Sequence, residues 1–162
     1  MKKNLQGKMA LVTGASSGLG VDFARQLAQR GCQLILVARR EDRLRKLQNQ
    51  ISSSFDVPVE CIAMDLVEAN APQRLYDQIQ AANWNVDVLV NNAGFGLFGN
   101  FANISWERTQ SMLELDVIAL THLLRLFVAD MVKRNYGFIL NVASIGAYQP
   151  TPTYAVYSAA KS

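Results

Sequence analysis

The sequence has little of what thiol or metal chemistry needs. It holds two cysteines, Cys32 and Cys61, and one histidine, His122. The cysteines stand far apart, with no CxxC spacing and no histidine beside them. They read as small buried hydrophobes of a reducing, cytoplasmic protein, not as a disulfide or zinc framework. His122 lies among apolar residues without an acidic or cysteine partner nearby and reads as structural, so no metal is expected. Charge of one sign is also scarce: 16 basic and 13 acidic residues leave a net charge of +3. That is too little to argue for a nucleic-acid partner, and no basic stripe alternates with aromatics. No stretch approaches the roughly 20 apolar residues of a membrane span. Lys2 and Lys3 resemble the start of a signal peptide, but the apolar run that follows is short and ends in Thr-Gly. Repeats, low-complexity tracts and linkers are missing too. The 162 residues read as one domain, 1–162, long enough for a sizeable core.

What is present is alternation. Met9 to Val12 is a short apolar run that reads as a buried strand. Val21 to Arg30 carries a helical stripe at Phe23, Ala24, Leu27 and Ala28, closed by Gly31. Gln33 to Ala38 is a nearly continuous apolar strand, as in a parallel sheet covered on both faces. Helix Glu41 to Ser53 follows, then strand Val57 to Ala63, whose Pro58 suits a sheet edge. Helix Ala71 to Ala82, strand Val86 to Val90 and a long helix from Ser105 to Arg134 come next. Strand Gly137 to Ala143 follows, then a loop with Pro150 and Pro152, and a last helix. Strands alternating with helices predict right-handed βαβ units on a parallel sheet, an α/β doubly wound fold. Ligands of such sheets bind beyond the carboxyl ends of the strands.

At the first of those ends lies a turn with Gly14, Gly18 and Gly20. It either serves as an ordinary glycine-rich turn or cradles a pyrophosphate at a helix N-terminus. In the second case Gly14 makes the turn, Gly18 admits the phosphate, and Gly20 lets the helix pack on the sheet. At the end of the second strand, Ala38-Arg39-Arg40 stands where NAD enzymes carry an acid. Two guanidinium groups suit a 2′-phosphate, hence NADP over NAD, unless Arg39 and Arg40 only form a solvated basic face.

Tyr157 and Lys161 are four apart and so share a helix face. A phenol has a pKa of about 10, and a neighbouring ammonium favours the phenolate. Such a pair suits proton exchange, or is simply solvated surface. Ser144, at the end of the fifth strand, is placed to hold a carbonyl oxygen. Tyr154 shares much of the helix face but has only Ser158 four residues on. Tyr148, in the loop, is expected to line a substrate pocket. Trp84 and Trp106 are expected to pack.

In order and spacing, Thr13-Gly14-xxx-Gly18-x-Gly20, Asn91-Asn-Ala-Gly94, Ser144 and Tyr157-xxx-Lys161 resemble the short-chain dehydrogenase/reductase family, in its TGxxxGxG subgroup. The resemblance covers essentially the whole chain. It implies strand order 3-2-1-4-5-6-7, of which 3-2-1-4-5 falls within these residues. The family's last strands and specificity loop would lie beyond Ser162, so the chain is expected to be the N-terminal part of the domain. The resemblance implies NADP(H), or less favourably NAD, held by Gly14, Ser16, Ser17, Gly18, Leu19 and Gly20. Arg39 and Arg40 join them, with Asp65 and Leu66 beside the adenine, and Asn92, Ala93 and Gly94. It further implies Ser144, Tyr157 and Lys161 as catalytic residues, a small carbonyl or alcohol substrate, and a homo-oligomer. The stretches Asn91 to Gly99 and Asn141 to Pro150 resemble bacterial reductases of broad substrate range. One departure stands out. The family's active-site asparagine is replaced in Leu115-Asp116-Val117 by Asp116, which either pairs with Lys161 and weakens its action on Tyr157 or is a tolerated isostere. Alternatives to an active oxidoreductase are a non-catalytic dinucleotide-binding or redox-sensing module and an inactive fragment.

Overall fold

A computed structural model describes residues 5–149 and 151–162; Lys2, Lys3 and Pro150, on which readings above touched, lie outside them. The elements are β1 (Met9–Thr13), α1 (Leu19–Gln29), β2 (Gln33–Ala38), α2 (Glu41–Ser54), β3 (Val59–Ala63), α3 (Ala71–Ala81) and β4 (Val86–Asn91). After these come α4 (Trp106–Leu113), a π-helical turn (Glu114–Ala119), α5 (Leu120–Lys133), β5 (Phe138–Asn141) and α6 (Ala155–Lys161). The strands form one parallel sheet in the order β3-β2-β1-β4-β5. β3 begins two residues later than the apolar pattern suggests. Pro58 precedes it and contributes only its carbonyl, which accepts from the Leu34 N–H at 2.9 Å, as fits a residue with no N–H to give.

The two-residue period of the strands sends alternate side chains to opposite faces, and each face has its own core. Ala10, Val12, Leu34 and Leu36 pack with Leu27 of α1 and Leu44 and Ile51 of α2. Leu11, Ile35, Val37 and Leu89 pack on the other side with Leu75 and Ile79 of α3 and Leu123 and Phe127 of α5. The apolar stripes of four helices thus meet two sheet faces, which makes the sheet doubly wound. The asparagines Asn83 and Asn135 follow α3 and α5 at positive φ, the left-handed stop that asparagine tolerates. Among the described residues β5 is paired only on its β4 side, and Ile139 and Leu140 are 41% and 43% exposed.

Two expectations change. The long helix is not uniform: its α-helical hydrogen bonding gives way to a π turn around Asp116, the kind of local widening that recurs at functional sites. Trp106 begins α4 with 65% of its surface exposed, on a helix whose buried residues are Thr109 and Met112; it is not a packing residue here, whereas Trp84 lies against the α3–α5 core. No described helix is long and apolar enough to cross a membrane.

Candidate active site

Every residue singled out for chemistry lies at or beyond the carboxyl ends of the strands. β1 ends in Thr13, a buried hydroxyl that accepts from the Asn92 and Ala93 N–H groups, each at 3.0 Å, and donates to the Val90 carbonyl at 3.3 Å. The Asn92 amide donates to the carbonyls of Thr13 and Gly14 at 3.0 and 3.3 Å. These bonds lock the glycine turn to the end of β4 and satisfy polar groups that burial would otherwise penalise. Gly14 has φ +65°, and a Cβ there would sit 2.8 Å from Ala93 Cα; both the turn and the close approach require glycine. Gly18, at φ 54° and ψ −139° before α1, would point a Cβ into open space. Gly20 is confined on the sheet side. A Cβ on it would meet the Gly14 carbonyl oxygen at 2.3 Å and Asn92 Nδ2 at 2.8 Å, so it lets the helix lie tight against its own turn and the end of β4.

α1 has no side-chain cap, so its first N–H groups face the turn unpaired by side chains, as an anion site requires. Beside it lies a cleft of about 270 Å³. Gly14, Ser16, Ser17 and Leu19 form one wall, Arg39 and Arg40 another. Asp65 and Leu66 close the β3 side, and Asn92, Ala93 and Gly94 the β4 side. Gly18 and Gly20 lie outside this lining: one faces open space, the other Gly14 and Asn92. Arg40 Nη2 donates to the hydroxyls of Ser16 (2.9 Å) and Ser17 (3.0 Å), which bends its guanidinium over the turn. Arg39 Nη1 stands 3.6 Å from Asp65 Oδ2.

The second group gathers around α6. Lys161 Nζ donates to the Val142 carbonyl at 3.4 Å and lies 3.8 Å from Asp116 Oδ2, a charge contact longer than a hydrogen bond. Asp116 is 2% exposed, and its other oxygen accepts from the Phe95 N–H at 3.1 Å. Burial pushes the Asp116 carboxyl above the ordinary carboxylate range, against the opposing pull of Lys161 and the Phe95 N–H. Gly94 touches both ends: a Cβ on it would lie 2.5 Å from Asp116 Oδ1 and 3.0 Å from Lys161 Nζ. Asn91 donates to Asn141 Oδ1 at 3.0 Å, which joins the ends of β4 and β5.

Ser144 and Tyr157 face a second cleft of about 550 Å³, with Tyr154 and Phe98 along it. The Ser144 hydroxyl accepts from the Gly146 N–H at 3.1 Å, so its own proton is left to donate. Tyr148 does not line this cleft. The 3₁₀ turn Ile145–Ala147 carries it outward, and it is 87% exposed. Of the two cysteines, Cys32 is buried and Cys61 partly so, and burial raises Cys32 to about 11 and also raises Cys61. Thr13 was read as part of the glycine motif, though not for its hydroxyl, which ties the turn to β4. Two contributors escaped the sequence reading: Phe98, an aromatic in a loop, and the Val142 carbonyl.

The five-stranded parallel sheet and the turn after β1 define a Rossmann-like α/β protein. The chain belongs to the short chain dehydrogenase family of oxidoreductases, whose model matches residues 8–162. It is 33% identical over 156 residues to an uncharacterised oxidoreductase of Staphylococcus epidermidis, covering 96% of this chain and 66% of that protein. Among solved structures it is similar to a metagenomic short-chain oxidoreductase in complex with NADP, with TM-score 0.92 and 33% identity, covering 98% of this chain and 72% of that one. It is also similar to an NAD⁺-bound xylitol dehydrogenase, with TM-score 0.89 and 28% identity, covering 98% and 61%.

Proposed function

We propose that the chain provides the cofactor cleft and catalytic side chains of an NADP(H)-dependent oxidoreductase acting on a carbonyl/alcohol pair. One observation carries this reading: Gly94 borders the first cleft and lies against Lys161, while Tyr157, on the same helix as Lys161, borders the second. The two clefts thus lie on either side of Gly94 to Gly96, one glycine against Lys161 and the other against Tyr157, the pair of residues that would exchange the proton. The first cleft fits a dinucleotide. The uncapped N-terminus of α1 and the open position at Gly18 suit a pyrophosphate, and Arg39 and Arg40 suit a 2′-phosphate.

A bound nicotinamide would supply or accept the hydride. Ser144 holds the substrate oxygen with its free hydroxyl proton. Tyr157 gives a proton to that oxygen in reduction and takes it back in oxidation. Lys161 favours the phenolate by charge, and Asp116, at 3.8 Å, offsets part of that charge. The same reading makes 1–162 one dinucleotide-binding domain of a cytoplasmic homo-oligomer; the continuous sheet supports the single domain and the exposed apolar residues of β5 support association.

The test is to titrate NADPH and NADH into the protein and to follow NADPH oxidation with aldehydes and ketones. The expected result is tighter NADPH binding, and turnover that Tyr157→Phe abolishes while binding persists. Equal binding of the two cofactors would contradict the NADP assignment, and turnover that survives Tyr157→Phe would contradict the proton donor.

A further inference from the structure

We infer that the cleft beside Tyr157 takes an uncharged aromatic carbonyl compound, selected by Phe98 and Tyr154. This rests on the reading of Ser144 and Tyr157 given above and specifies the substrate for that site. The cleft, at about 550 Å³, falls in the range of small-ligand sites. Among the described residues no charged side chain lines it; its polar groups are the hydroxyls of Ser144, Thr151 and the tyrosines and the amide of Gln149. A carboxylate or phosphate placed there would lose water without gaining a counter-charge.

One wall is a run of three rings. Phe98 and Tyr154 have centroids 5.4 Å apart at 54°, and Tyr154 and Tyr157 are 5.8 Å apart at 57°. Both spacings are those at which rings attract through edge and face. Phe98 is 71% exposed at the cleft, so a flat apolar ligand would remove that ring from water. Gly96 keeps the inner ring accessible: a Cβ there would sit 3.5 Å from Tyr157 Cδ2 and 3.6 Å from Cε2, where a ligand's ring would otherwise lie. A polyhydroxylated substrate fits poorly, because hydroxyls turned toward the rings would go unpaired.

The experiment measures binding of three probes to the 162-residue chain by calorimetry: acetophenone, pyruvate and dihydroxyacetone. NADP⁺ is titrated separately. Acetophenone is expected to bind at least about tenfold more tightly than either other probe. Phe98→Ala is expected to shrink that preference about tenfold, and Tyr154→Phe, which keeps the ring, to preserve it. Equal or tighter binding of pyruvate or dihydroxyacetone would overturn the inference. So would a preference that survives Phe98→Ala, or no measurable binding of acetophenone. NADP⁺ binding without acetophenone binding would sink this inference alone; acetophenone binding without NADP⁺ binding would sink the oxidoreductase reading and leave the cleft assignment standing.

Discussion

Two ion pairs of nearly equal length sit at opposite ends of the sheet's carboxyl edge. Arg39 and Asp65 are 3.6 Å apart with side chains 70% and 32% exposed. Lys161 and Asp116 are 3.8 Å apart with side chains 9% and 0% exposed. Separation is not what distinguishes them. Near water the first pair is screened and contributes about 0–1 kcal/mol. Arg39 can leave Asp65 for a phosphate at little cost. The second pair lies where attraction is stronger and desolvation larger. The rise of the Asp116 carboxyl shows which of these wins: burial outweighs the lysine and the Phe95 N–H. A pair of this kind holds its geometry and is costly to break on one side. The exposed end is suited to exchanging ligands, and the buried end to holding a proton donor in place.

The largest expected effect comes from breaking the buried pair. Lys161→Met leaves the Asp116 carboxylate without a cation and should lower stability by about 3–5 kcal/mol, measured by urea denaturation at neutral pH; a loss below about 1 kcal/mol would place this pair with the exposed one. Next comes the arginine end. The double substitution Arg39→Ala, Arg40→Ala removes charge-assisted bonds of about 1.5–3 kcal/mol each. It should weaken NADP binding at least about tenfold and leave NAD binding unchanged by titration. A parallel loss for both cofactors would mean that the arginines do not read the 2′-phosphate.

The third effect is a slope with pH. Asp116 binds its proton more readily in the folded chain than at the ordinary value of 3.8. The native state therefore holds more protons than the unfolded state from that pH upward to the raised value, and stability falls as pH rises through this window. Asp116→Asn should flatten that fall, read from denaturation midpoints across the acid range. A wild type whose stability rises there in step with Asp116→Asn would reverse the assigned direction. The smallest effect is Arg39→Met, expected to change stability by less than about 0.5 kcal/mol.

Much of this contrast was legible in the sequence, but unevenly. The parallel sheet follows from apolar runs and their spacing, since a strand covered on both faces can hardly read otherwise; its strand order came only through the family resemblance, and Arg39 and Arg40 from their place after the second strand. The pairing of Asp116 with Lys161 was also open to reading, because both depart from or match one motif. The π turn that carries Asp116 was not. The buried positions Thr109, Met112, Asp116, Ala119, Leu123, Phe127 and Met131 keep spacings of three and four, so the periodicity runs through the π segment without a break. Tyr148 was misread for a related reason: a loop position says that a side chain lies near the site, not which way the following turn aims it. Phe98 is a similar case, since only the fold brings it beside Tyr154.

The contrast between the two ends is tested most directly by a pair of double-mutant cycles on stability. One uses Asp116→Asn with Lys161→Met, the other Asp65→Asn with Arg39→Met. If burial and not distance sets their strength, the coupling energy is about 2 kcal/mol or more for the buried pair and at most about 0.5 kcal/mol for the exposed one. Equal couplings, or a larger one between Arg39 and Asp65, would contradict it.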